Sequence, residues 1–133
     1  MIISKDIKFD CAHMLSQYEG KCANLHGHTY HGTVTIEGKA NNNTSMVLDY
    51  NEVKRIVDQF DHTIIFSADD YRNQAENELL GWASIHNMRH VVLTKGKSTA
   101  ETIAQVIADQ FTQWGKVTVR LSETDGSWAE AHA

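Results

Sequence analysis

The stretch His26-Gly27-His28-Thr29-Tyr30-His31-Gly32-Thr33-Val34-Thr35-Ile36 decides the fold. Its residues alternate: His26, His28, Tyr30, Val34 and Ile36 share one face, and Thr29, His31, Thr33 and Thr35 line the other. A period of two with one apolar face is the pattern of a half-buried strand. Upstream, residues 3–13 alternate in the same way, with Ile3, Ile7, Phe9, Cys11 and His13 on one face and Lys8 and Asp10 on the other. The polar residues 14–24 between them read as a connecting loop. The two strands can therefore pair as a hairpin, which brings His13 and the His26/His28 pair to the same end of one sheet.

Downstream, residues 38–45 contain three consecutive asparagines and read as a turn region. Asp49-Tyr50-Asn51-Glu52 resembles a capping box. It opens a helix with Val53, Ile56, Val57 and Phe60 at helical spacing, ending near Asp61. A short helix is expected over 75–85 and a third strand over 90–94, while the 67–89 segment as a whole yields no role. Ser98-Thr99-Ala100-Glu101 reads as a second capping box, opening a helix with an apolar stripe of Ile103, Val106, Ile107, Phe111 and Trp114. Residues 117–123 form a fourth strand. The expected fold class is α+β: a single domain over 1–133, with four mainly antiparallel strands and two main helices on one face.

The 133 residues suit one domain, with 41% hydrophobic and 22% charged residues. The formal charge of −5 argues against broad nucleic-acid binding, which needs a basic face. No apolar run reaches the length of a membrane span, and the first residues lack a signal-peptide pattern, so a cytoplasmic protein is expected. Two cysteines, Cys11 and Cys22, do not suggest a disulfide framework in that setting.

The chemistry gathers around the histidines. Residues two apart on a strand point the same way, so the imidazoles of His26 and His28 are neighbours. Burying them without partners is costly. With His13, they form three imidazoles with an open fourth position, the donor set of a catalytic zinc site. Cys22 stands four residues before His26 and reads as a reactive thiol beside that site, whereas Cys11, on an apolar strand face, reads as a small buried thiol. Glu123 ends the apolar face of Val117, Val119 and Leu121, where a carboxylate needs a partner; a ligand with adjacent N–H donors would suit it. Asp61-His62 reads locally as a helix C-terminus, where the dipole favours a histidinium. Glu101 reads as the N3 member of its capping box.

Phe9–His13 (FDCAH), Cys22–Tyr30 (CANLHGHTY), Val47–Tyr50 (VLDY), Phe60–Ile64 (FDHTI), Ser98–Glu101 (STAE) and Ser122–Thr124 (SET), in this order, resemble the 6-pyruvoyltetrahydropterin synthase family over nearly the whole chain. The resemblance implies the tunnelling fold, in which the sheets of several subunits join into a barrel, and a homo-hexamer with active sites between subunits. It implies zinc on His13, His26 and His28, Cys22 as catalytic base, and Asp61 and His62 as a proton-relay pair. Glu123 would anchor a pterin ring, assisted by Thr99 and Glu101. In the tetrahydrobiopterin branch five residues usually separate the cysteine from His-Gly-His, and in the queuosine branch three do. Here Ala23, Asn24 and Leu25 intervene, as in the queuosine branch. The implied reaction converts 7,8-dihydroneopterin triphosphate to 6-carboxytetrahydropterin, acetaldehyde and triphosphate. The alternatives are the pyruvoyl-forming elimination of triphosphate, or a non-catalytic pterin- or metal-binding module. The chain departs from the family in carrying Lys97-Ser98 where Asn-Pro is usual, and in a longer 67–89 segment. Lys21, Lys95, Lys97 and Arg120 are candidate cations for the triphosphate.

Overall fold

A computed structural model describes residues 1–133. The hairpin forms as the alternation predicts. β1 (Ile2–His13) pairs antiparallel with β2 (His26–Glu37), in a register that sets Phe9 opposite Tyr30 and His13 opposite His26. The inward faces supply the sheet's core: Phe9 and Tyr30 stack with ring centroids 5.1 Å apart. On the outward face the rungs are polar, with Thr29 donating to Asp10, Thr33 to Asp6, and Ser4 bonded to Thr35. Gly32 sits where the next strand crosses closely; a Cβ there would meet the Arg120 carbonyl oxygen at 2.1 Å.

The sheet has six strands, in the order β4-β3-β1-β2-β5-β6, and not four. The expected third strand is β4 (His90–Val92), an edge strand running parallel to its neighbour. That neighbour, β3 (Thr63–Phe66), is parallel to β1 and lies almost wholly in the interior. Four nearly continuously buried residues carry no alternation, which is why the sequence hides this strand. The expected fourth strand is β5 (Lys116–Thr124), antiparallel to β2. It turns through Asp125-Gly126, with Gly126 at φ 83°, into β6 (Ser127–His132). The sheet is therefore mixed, and its outer strands β4 and β6 have no partner on their far edges within the chain.

Three α-helices complete the fold. α1 (Tyr50–Val57) is capped by Asp49, whose carboxylate accepts the Asn51 N–H at 2.8 Å. It stops at Val57, earlier than expected, and 58–61 is a turn. The reciprocal half of its capping box is not made, because Glu52 binds Arg55 instead. α2 (Gln74–Ile85) lies where the short helix was expected. α3 (Ala100–Asp109) packs on β5 and β6 through the fully buried Ile103, Ala104, Ile107 and Ala108. Its N-cap is Thr99, not Ser98: Thr99 Oγ1 accepts the Thr102 N–H at 3.4 Å. Glu101 is thereby the second helical residue and exposed, with no capping duty. No helix is long and apolar enough to cross a membrane.

Candidate functional site

The hairpin register brings His13, His26 and His28 together, their candidate ligand atoms all within 4.8 Å of one another. His13 is fully buried, and the other two are partly buried. Two tautomers are set by the backbone. His13 Nδ1 donates to the Ser98 carbonyl, and His26 Nδ1 donates to the Asn24 carbonyl at 2.6 Å. Each ring therefore turns its Nε2 lone pair toward the other, at an Nε2–Nε2 distance of 3.1 Å. Two lone pairs so placed repel each other unless a proton or a cation lies between them. Two nitrogens on one tetrahedral zinc are about 3.3 Å apart, close to the spacing found. His28 Nε2 is buried without a hydrogen-bond partner. Glu123 Oε1 lies 3.3 Å away but is not aligned to bond it. An orphaned buried nitrogen beside two fixed lone pairs fits a divalent cation. Burial, first of all, pushes the His13 and His28 imidazoles down from their ordinary values, toward the neutral form that ligation requires.

Glu123 has the partner its place on an apolar face calls for. Tyr30 Oη donates to its Oε1 at 2.9 Å, and His13 Nε2 lies 3.4 Å from the same oxygen. Arg120, a candidate cation for the triphosphate on the same strand, stacks over the Trp128 ring at 3.8 Å. Beside Glu123 opens a cavity of about 310 Å³, lined by Cys22, Thr99, Glu101, Leu121 and Trp128 among others. That volume is at the small end for a small-molecule site. A larger, shallower groove of about 960 Å³ runs past Glu37, Asn41 and Trp114, at the far end of β2 from the histidines, and holds none of the reactive groups. Volume alone thus points away from the chemistry.

Cys22 sits on a single 3-10 turn, Lys21–Ala23, tied back to the end of β1 by the Leu15 N–H bond to its carbonyl at 2.8 Å. Cys11 is buried, and desolvation, aided by the Glu123 charge, pushes its thiol up to about 12, so it stays protonated. Of the candidate cations, Lys95 is paired with Asp109 at 2.9 Å.

Asp61 and His62 do not reach this cavity within their own chain. They stand against Asp10, on the outward edge of β1. The helix-dipole reading of His62 fails, because α1 has already ended at Val57. Asp61 accepts the Asp10 N–H at 2.8 Å and binds His62 Nδ1 at 2.8 Å. Those contacts, the backbone bond foremost, hold its carboxyl below the usual range, and they leave His62 Nε2 free. His62 takes a φ of 56°, left-handed for a non-glycine residue, a conformation costing on the order of 1–2 kcal/mol. A strained, exposed imidazole aligned by a charged carboxylate has the build of a proton carrier.

Solved structures share the architecture. An uncharacterised protein from Wolinella succinogenes superposes with a TM-score of 0.71 at 22% identity, covering 99% of this chain and 97% of that one. The 6-pyruvoyl tetrahydropterin synthase of Plasmodium falciparum gives 0.65 at 19% identity, over 100% and 97%. The fold is thus the tunnelling fold of these synthases. Among curated relatives, the 6-carboxy-5,6,7,8-tetrahydropterin synthase of Haemophilus influenzae is 35% identical over 96% of each chain. The enzyme of that name from Rickettsia bellii is 30% identical over 76% of this chain and 72% of its own. The 6-pyruvoyl tetrahydropterin synthase family profile matches residues 2–133, and the chain belongs to that family.

Proposed function

We propose that this chain is a 6-carboxy-5,6,7,8-tetrahydropterin synthase. It converts 7,8-dihydroneopterin triphosphate and water to 6-carboxytetrahydropterin, acetaldehyde and triphosphate, toward the deazapurine of queuosine, in the cytoplasm. The observation that carries this reading is the junction of two features at Glu123: three converging imidazoles on one side, and a cavity holding Cys22 on the other. The metal assigned to His13, His26 and His28 is zinc, on the strength of an all-imidazole, neutral donor set. When bound, zinc supplies a positive charge that acidifies substrate hydroxyls.

The chain's own residues do the rest. Glu123 receives the N–H edge of the pterin, with Thr99 and Glu101 lining the same cavity. Cys22 takes a proton from the substrate side chain as general base. His62, held by Asp61, returns one. Because that pair stands outside its own chain's cavity, a second copy of the chain supplies it. The unpaired edges of β4 and β6 favour such assembly, and the expected arrangement is a hexamer with its sheets joined into a barrel.

Glu123→Gln tests the anchor. The change is nearly isosteric, and the remaining carbonyl oxygen still accepts the Tyr30 hydroxyl. The new amide, however, faces the ligand's donors. Charged hydrogen bonds are worth about 1.5–3 kcal/mol, so substrate affinity should fall about ten- to a hundredfold. The ligand-free melting temperature should hold or rise. A variant that melts early and binds substrate normally would make Glu123 a structural residue.

A further inference from the structure

Glu76 lies on α2, in the segment that had no role in the sequence, and its side chain is fully buried with a relative exposure of 0%. The cavity does not contain it, and the proposed chemistry does not use it. Such a group is kept at a cost unless its oxygens are satisfied. Here both are. Ser16 Oγ donates to Oε2, and the Ser67 N–H donates to Oε1 at 2.8 Å.

These two partners connect it to the histidine cluster. Ser67 Oγ accepts the Ser98 N–H at 3.0 Å, and the Ser98 carbonyl in turn accepts His13 Nδ1–H. Ser67 and Ser98 are both fully buried, so water does not substitute for any link. Ser16 stands three residues after His13 and also accepts the Asn73 N–H at 3.1 Å, fastening the end of β1 to the start of α2. Glu76 thus grips the chain just beyond His13 with one oxygen. With the other it fixes the serine that aims the carbonyl holding the His13 ring.

We infer that Glu76 is a positioning residue for His13: through Ser67 and Ser98 it sets the tautomer and direction of that imidazole, and so the affinity of the three-histidine site for a divalent cation. The inference rests on the metal reading above. Partners that orient a ligating histidine typically change metal affinity about 10–100-fold when removed. One link further out, about tenfold is expected.

The test uses full-length metal-free protein titrated with Co²⁺, read by its visible absorption and by competition with a chromophoric chelator. Wild type should bind one Co²⁺ per chain with a tetrahedral spectrum. Glu76→Ala, which orphans the Ser67 N–H, and Ser67→Ala, which removes the acceptor of the Ser98 N–H, should each weaken binding about tenfold and shift the absorption bands. Glu76→Gln keeps an acceptor for Ser67 and should recover affinity to within about threefold of wild type. A residue of purely structural value would lower the melting temperature and leave cobalt affinity and spectrum of the folded protein unchanged. That result in Ser67→Ala overturns the inference, even if Glu76→Ala fails to fold. A wild type that binds no cobalt overturns the metal reading and this inference together. A binding wild type with unaltered variants overturns the inference alone.

Discussion

Cys22→Ala is expected to lower turnover by about a hundredfold or more, the loss associated with removing a general base, while metal content and melting temperature stay near wild type. The side chain is only partly buried, at the rim of the cavity. Its short turn is held by backbone bonds, from Leu15 N–H to the Cys22 carbonyl and from Ala23 N–H to Gly20, which alanine preserves. Cys11→Ala is the control. That thiol is buried on the face shared with Phe9 and His13, and it is kept protonated. Its loss should cost about 1 kcal/mol of stability, a typical value for a point substitution, and little activity. Steady-state kinetics and thermal melting on both variants separate the roles. Equal damage to turnover would mean that Cys22 matters for packing and not for proton transfer.

His26→Ala should abolish tight metal binding, from one equivalent per chain to close to none after dialysis against a chelator, and turnover should disappear with it. Among the three imidazoles His26 is the suitable one to remove. His13 is buried to 1% exposure and holds the Ser98 carbonyl, so its loss would also disturb folding. His26 is partly exposed at the start of β2, and its ring bonds the backbone at the Asn24 carbonyl, two residues away. Elemental analysis with a parallel melting curve distinguishes loss of ligand from loss of fold. Full occupancy in a folded variant would contradict the three-histidine assignment.

The half of the molecule built on β1 and β2 was legible because a single rule, alternation over two long strands, placed the apolar face and the histidines together. The unread parts have different causes. β3 is four residues held between β1 and β4, with no periodicity of its own. β6 follows an Asp-Gly turn, but its inward residues are Ala129 and Ala131, too small to mark an apolar face. The capping box of α3 slipped by one because Ser98 and Thr99 are both competent caps, and only the structure shows Ser98 turned inward to Ser67 and His13. Asn73-Gln74-Ala75-Glu76 does carry the capping signature, and Asn73 accepts the Glu76 N–H at 2.9 Å. The Glu76 side chain, however, leaves its own helix for Ser16 and Ser67, a destination that spacing cannot reveal. Asp61 and His62 were legible as a pair through family likeness alone, since their place on the outward edge of β1 depends on Asp10.

The central claim is the reaction itself. The zinc-loaded protein, incubated with 7,8-dihydroneopterin triphosphate and analysed by mass spectrometry, is expected to yield 6-carboxytetrahydropterin with acetaldehyde and triphosphate in equal amounts. A 6-pyruvoyl product formed without acetaldehyde, or substrate left unconsumed by fully metallated protein, would contradict the account.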